Sequence, residues 1–472
     1  MRKIVHSFIG AFLCCAAALA QNQVENATLT GEEKAAFIEK AVQLLVDKYI
    51  FTDVAQKIEK EIKDKAASGA FDQLTNPERF AERLTQELQA ISHDKHMVVF
   101  VTGNPPSPSP DPAAPLLRGF KLQRVYKDDN CGFSKIEKLE GNVGYLAVIA
   151  CLPLSEAKEY ADLAMKYLSG SDALIIDLRE NEGGAKDIIH YLLGYFFEKT
   201  THLNSFYFRK YDRTVDFHSS DKVGGKTMPD VSLFVLTSRR TFSAAEEFAY
   251  DIQTLKRGTL VGETTGGGAN PGRGFPVTDR FALFVPLAKA INPVTKGNWE
   301  GVGVIPEIKC AADRALDTAI PLAREAALAR REKMERSFRE SMAATIAEMK
   351  AIDRLFDEGK IQDAGKKLEE VLSNGIKNGS MNEGVITQYG RDQLGAGKTL
   401  MAYALLKMNA ASYPNSARAR NVLGEACERL GKMEEALESY QKAVILGTES
   451  KDIQTDTFIE NRDRVKLQFK DK

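Results

Sequence analysis

Three stretches of this sequence carry residues able to do chemistry. The first is Thr241-Phe242-Ser243-Ala244-Ala245-Glu246-Glu247-Phe248-Ala249. The short apolar run rich in Val, Leu and Phe ahead of it reads as a buried strand, and the amphipathic segment behind it, to about 256, as a helix. Ser243 therefore stands where a strand turns into a helix, near unpaired backbone N–H groups and the positive end of the helix dipole. Several hydrolases hold a serine nucleophile this way, although a plain N-cap serine has the same setting. The second stretch, Asp177-Leu178-Arg179-Glu180-Asn181-Glu182-Gly183-Gly184, closes a strand on paired glycines. Such a turn lets the backbone approach a bound group, and its N–H groups can stabilise an oxyanion; a tight turn without a ligand is the alternative. The third concerns the base. His6 lies in the N-terminal apolar run, and His190, His202 and His218 fall on helix or strand surfaces without motif context. His93 and His96 remain, and a neutral imidazole can take a serine proton and return it.

The elements that must position these groups fall into segments. Apolar residues at helical spacing make 25–102 a helical N-terminal domain, in which a helix gives way to a strand within 91–101. Six prolines within 103–115 make 103–116 a linker. Over 117–315, strands at 144–150, 173–178, 234–238 and 259–262 alternate with helices at 154–168 and 186–197, an α/β layer with parallel strands. A connecting helix is expected over 316–344. Residues 345–472 read as helical repeats, with units near 345–382, 383–416 and 417–450. Leu423-Gly424, Ala436, Tyr440 and Ala443 fall at tetratricopeptide positions. Such repeats stack and offer a concave face to a peptide or a partner protein; generic helical hairpins are the alternative.

Composition narrows the class. The 64 Lys and Arg balance 65 Asp and Glu, which gives no electrostatic pull toward nucleic acid or an anionic membrane. Arg2-Lys3, the apolar run 4–20 and Ala18-Leu19-Ala20 form the pattern of a secretory signal peptide over 1–20. A lipoprotein signal ranks second and an uncleaved anchor third. The expected location is periplasmic or secreted, with no stable membrane span once the signal is cleaved. Cys131, Cys151, Cys310 and Cys427 then remain, too few for a disulfide framework. Buried thiols are favoured over a Cys131–Cys151 bridge. No Cys/His spacing resembles a zinc site, and neither metal nor cofactor is called for.

Asp-Leu-Arg-x-Asn-x-Gly-Gly, then Thr-Phe-Ser-Ala-Ala-Glu-Glu-Phe-Ala, then Val261-Gly262-Glu263-Thr264-Thr265-Gly266-Gly267-Gly268 resemble, in order, the tail-specific (C-terminal processing) serine peptidase family. The resemblance covers about 135–310. It implies a crotonase/ClpP-like α/β catalytic domain between the helical N-terminal domain and the all-α repeats. Common members place a base lysine where this sequence has Gly268 and insert a PDZ domain that 100–144 cannot hold. Both departures resemble the branch of tricorn protease and interphotoreceptor retinoid-binding protein, whose tricorn-like members use a histidine. That branch's Asp-x-His selects His96, and its Glu-x-x-Gly-Val-x-Pro-Asp element, matched at 300–307, selects Glu300 as the acid. Lys95 stands where tricorn-like members carry a serine. The resemblance implies acyl transfer on a peptide or protein. Ser243 would attack, His96 carry the proton, and Glu300 orient His96. The Ala244 N–H, with that of Gly183 or Gly184, would hold the oxyanion, while Arg179 would be structural. The alternative is a non-catalytic protein that binds apolar ligands or peptides on the same fold.

Overall fold

Helix α1 (Gly31–Lys48) starts on a capping box, in which the Thr30 hydroxyl accepts the Glu33 N–H and the Glu33 carboxylate accepts the Thr30 N–H. After α2 (Thr52–Ala67), Asn76 caps and Pro77 opens α3 (Pro77–Ser92). Their apolar faces meet around Phe37, Leu45, Ile58, Phe80 and Leu84, all essentially buried. The computed structural model describes residues 28–102 and 113–468. The signal expected over 1–20 lies outside them. Helices alone do not close this first core. Phe281, Leu283 and Val285 enter it from far along the chain, with the Phe281 ring 5.0 Å from that of Phe37. They arrive because strand β1 (Val99–Val101) pairs with the strand that bears them.

Residues 103–112 of the expected linker lie outside the described residues, and 113–116 already belong to helix α4 (Ala113–Asp128). The α/β segment then runs β2 (Phe133–Leu139), β3 (Val143–Val148), α5 (Leu154–Leu168), β4 (Ala173–Asp177), α6 (Lys186–Leu193), β5 (His202–Phe208), β6 (Arg213–His218), β7 (Ser232–Thr237), α7 (Ala244–Thr254), β8 (Thr259–Gly262), β9 (Gly272–Pro276), β10 (Phe281–Pro286), β11 (Ala288–Ile291) and β12 (Ile308–Lys309). Six strands form the main sheet in the order β12-β8-β7-β4-β3-β2, parallel except where β2 meets β3. Strand β4 is apolar along its length because both its faces are covered. Leu174 and Ile176 face Ala161 of α5, Ile188 of α6 and Phe248 of α7. Ala173 and Ile175 face Ala315, Ala319 and Ala323, at the start of α8 (Ala315–Asp357). Adjacent β4 and β7 run side by side, with Asp177 opposite Leu236, so the double-glycine turn and Ser243 both emerge at their carboxyl ends. Ligands of open parallel sheets bind in that crevice. Two further sheets, β1-β10-β9 and β11-β5-β6, are antiparallel. Helix α6 stops at Leu193, short of the expected 197. Cys131 and Cys151 are buried free thiols.

Contacts divide the chain into units 1–331 and 332–472. The second is all helix: the later part of α8, then α9 (Ile361–Lys377), α10 (Glu383–Gly395), α11 (Thr399–Ser412), α12 (Ala417–Arg429), α13 (Met433–Ser450) and α14 (Thr455–Gln468). Helix pairs begin at 383 and 417, where two of the sequence units begin, whereas the unit expected near 345 opens inside α8. Within each pair a glycine admits a large partner. A Cβ on Gly390 would lie 2.6 Å from Leu406 carbons, and one on Gly424 2.6 Å from the Tyr440 ring. Among the described residues no helix is long and apolar enough to cross a membrane.

Candidate active site

Ser243 is the N-cap of α7 and holds φ 52°, ψ −117°, a conformation that costs a non-glycine residue energy and recurs at nucleophile turns. Its neighbours keep it there. Gly183 packs so closely that a Cβ on it would lie 2.7 Å from the Phe242 carbonyl and 2.8 Å from the Ser243 Cβ. The Ser243 N–H donates to the Glu246 carboxylate at 2.9 Å. Burial pushes the Glu246 carboxyl up to about 7.

The imidazole comes from the helical N-terminal segment. Helix α3 ends on His93 in the left-handed conformation, its N–H donating to the Gln89 carbonyl at 2.8 Å. His93 thus serves as a helix end. The next turn is built on Asp94, which is 1% exposed. Asp94 Oδ1 accepts the His96 N–H at 3.0 Å, and Oδ2 accepts the Tyr49 hydroxyl at 3.2 Å and Asn270 Nδ2 at 3.1 Å. So seated, His96 Nε2 lies 3.0 Å from Ser243 Oγ. The ring sits between Phe242 and Phe284, with centroids 4.7 and 5.7 Å away. Burial disfavours the imidazolium and lowers its pKa to about 4.

Glu300 lies beside this ring without a hydrogen bond to it. One donor atom each from Asp94, His96 and Glu300 falls within a 4.8 Å group. Yet His96 Nδ1 has no partner among the described residues. The Glu300 carboxylate instead accepts the Lys95 N–H at 3.3 Å and the N–H groups of Ala269 and Asn270 at 2.6 and 3.0 Å. It ties the histidine turn to the loop after β8. Burial, then the nearby Asp94 charge, raises Glu300 to about 8, and burial raises Asp94 to about 6. Among the described residues only this trio groups closely enough to hold a metal ion, but its carboxylate oxygens already accept N–H and O–H donors.

The expected oxyanion donors divide. Gly183 is withdrawn: its N–H donates to Asn181 Oδ1 at 2.8 Å. Among the described residues no hydrogen bond engages the N–H of Gly184, which follows the glycine packed against Ser243, or of Ala244, which follows Ser243 in the chain. Gly184 needs to be glycine, because at φ +130° a Cβ would lie 2.2 Å from the Cys151 carbonyl oxygen. Arg179 braces the turn from below through Asp177 and the Ala312 carbonyl, the latter at 2.6 Å. Gly268, where the lysine branch would carry its base, faces His96 and Phe242; a Cβ there would lie 2.7 Å from His96 Cε1 and 2.2 Å from Phe242 Cζ.

Residues 142–310 match the family described as peptidase family S41, and residues 25–119 match the one described as the N-terminal domain of peptidase S41 in eukaryotic IRBP. The chain carries the domains of peptidase family S41. Its segment 142–310 is a serine-type peptidase domain, for which the substrate class is peptide or protein. The S41 match contains Ser243 and Glu300, and the N-terminal match contains His96. Solved structures it is similar to include a protein from Parabacteroides merdae, at 17% identity over 63% of this chain and 97% of that one, TM-score 0.42. The photosystem II D1 C-terminal processing protease follows at 14% identity over 60% and 94%, TM-score 0.36. Tricorn protease gives 14% identity over 62% of this chain and 37% of its own, TM-score 0.40. The assignment to S41 rests on the family matches.

Three site residues escaped the sequence reading. Glu246 had a signal, because Ser243-Ala244-Ala245-Glu246 has the spacing of a capping box. Tyr49 and Asn270 had none, since each meets Asp94 only through the fold.

Proposed function

We propose that this chain is an exported serine peptidase in which Ser243 is the nucleophile and His96 its base. The observation that carries the proposal is the 3.0 Å approach of His96 Nε2 to Ser243 Oγ beside the double-glycine turn. The serine hydroxyl passes its proton to His96 Nε2 as Oγ attacks the peptide carbonyl. The Gly184 and Ala244 N–H groups stabilise the oxyanion, and the imidazolium returns the proton to the leaving amine. Glu300 holds the turn that bears the base and offsets its charge when ionised. The signal at 1–20 directs the chain to the periplasm or outside the cell, and the helix pairs of 345–472 form a tetratricopeptide-like platform for a protein partner. A fluorophosphonate tests the centre. The expected result is one label per chain, mapped by mass spectrometry to the peptide that contains Ser243. No label, or a label on another serine, would overturn the proposal in favour of a non-catalytic binding protein on the same fold.

The same geometry sets a pH dependence. Since burial lowers His96 from its usual 6.5 to about 4, the base stays neutral well below pH 6. Protonation of His96 itself is therefore expected nearer pH 4 than 6.5, below the range in which the buried Glu246 and Glu300 carboxyls take up protons. The sign for stability follows from the same depression. An unfolded chain protonates this histidine at pH 6.5 and the folded one does not, so its contribution is present above 6.5 and is lost as pH falls toward 4. His96 ring resonances that titrate at 6.5 in the folded chain, with the fold checked by circular dichroism, would contradict a buried base.

A further inference from the structure

We infer that Glu246 is a positioning residue that sets the distance between nucleophile and base by anchoring both from one buried carboxylate; this rests on Ser243 and His96 acting as proposed above. Glu246 is fully buried in the first turn of α7. Its two oxygens accept four hydrogen bonds. Oε2 takes the Ser243 N–H at 2.9 Å and the Gly268 N–H at 2.8 Å. Oε1 takes the Gly267 N–H at 2.7 Å and the Thr265 hydroxyl. A single carboxylate oxygen thus bonds both the backbone of the nucleophile and that of Gly268.

Gly268 matters because it is the surface against which the imidazole rests, with room for no Cβ between it and His96 Cε1. Its carbonyl is fixed from the other side by Trp299 Nε1 at 2.8 Å. Thr265 in turn accepts the Val304 N–H at 2.7 Å, which extends the brace to the loop that follows Glu300. A capping carboxylate that only closed a helix would need the Ser243 N–H alone. Three further donors from the 265–268 loop mean that the cap and the floor under the base move as one body. Four donors also call for an acceptor-only group, so an amide of the same shape must turn an N–H₂ toward one of them.

Glu246→Gln is the first test, with melting temperature, peptide kinetics and the His96 ring resonances measured on the full chain. The expected result is a folded variant with kcat lower by about 10²-fold, the loss typical of a misplacement near 1 Å. KM should stay within about threefold, since groups that bind substrate are untouched. The His96 ring signals should shift, a readout that needs no turnover and so separates this inference from the peptidase proposal. A folded Glu246→Gln chain with native His96 signals would overturn it. Should that variant not fold, Thr265→Val and Thr265→Ser replace it: serine keeps the hydroxyl donor and should keep the native ring signals and rate, whereas valine should shift the signals and lower kcat. Native His96 signals in the valine chain would also overturn it.

Discussion

Ser243→Ala will lower peptide hydrolysis by on the order of 10⁵–10⁶, His96→Ala will cost nearly as much, and the double variant will lose little more, because nucleophile and base act as a unit. Without the hydroxyl no acyl-enzyme can form, whatever the state of the imidazole. Without the imidazole the hydroxyl has no acceptor to take its proton, because no other side chain bonds it among the described residues. What remains in each variant is the pull of the Gly184 and Ala244 N–H groups on a bound carbonyl, which explains a residual rate above water. Steady-state kinetics on all three variants checks this, with the native melting temperature as a control. Additive losses, or a His96→Ala chain within about tenfold of native, would mean that the 3.0 Å contact is a structural hydrogen bond and that another group is the base.

How far the sequence foretold this site depends on how local each piece is. The nucleophile turn and the double glycine were legible because strand, turn and helix follow one another directly, and β4 and β7 carry apolar runs that mark a strand buried on both faces. The helices at 154–168 and of the N-terminal segment were legible by periodicity. The two small sheets were not. Strand β9 is Gly-Arg-Gly-Phe-Pro and shows no alternation to read, and although the sequence offers a strand ending at Val101, nothing in it names β10 as the partner. Their pairing nevertheless brings Phe284 against the imidazole and Phe281 into the helical core. The acid's part was also out of reach. A family pattern could select Glu300, but whether its oxygens meet Nδ1 or backbone N–H groups is decided by how three loops distant in sequence pack together. The structure gives them to the backbone of Lys95, Ala269 and Asn270. The Gly183 donor was lost in the same way, to the side chain of Asn181 two residues earlier.

Gly268→Lys will not turn this centre into a Ser–Lys dyad; it will lower kcat by at least about 10²-fold, and no less than Gly268→Ala does. The reason lies in the first carbon of the new side chain. A Cβ at 268 falls 2.7 Å from His96 Cε1 and 2.2 Å from Phe242 Cζ, both far inside van der Waals contact. Phe242 adjoins the nucleophile, and the imidazole is held between Phe242 and Phe284, so relief comes by lengthening the serine–histidine contact. Alanine alone already causes this. A lysine adds an ammonium whose burial favours the neutral amine, but the imidazole already occupies the space in which that amine would have to meet Ser243. Histidine and lysine are therefore exclusive tenants of one position, and a glycine at 268 is what the histidine requires. The decisive background is His96→Ala, where the space is vacated. Hydrolysis restored there by Gly268→Lys and not by Gly268→Ala is the result that exclusion by the ring predicts, whereas a Gly268→Lys chain that keeps native kcat with His96 in place would make exclusion by the ring the wrong account of why this sequence departs from the lysine branch.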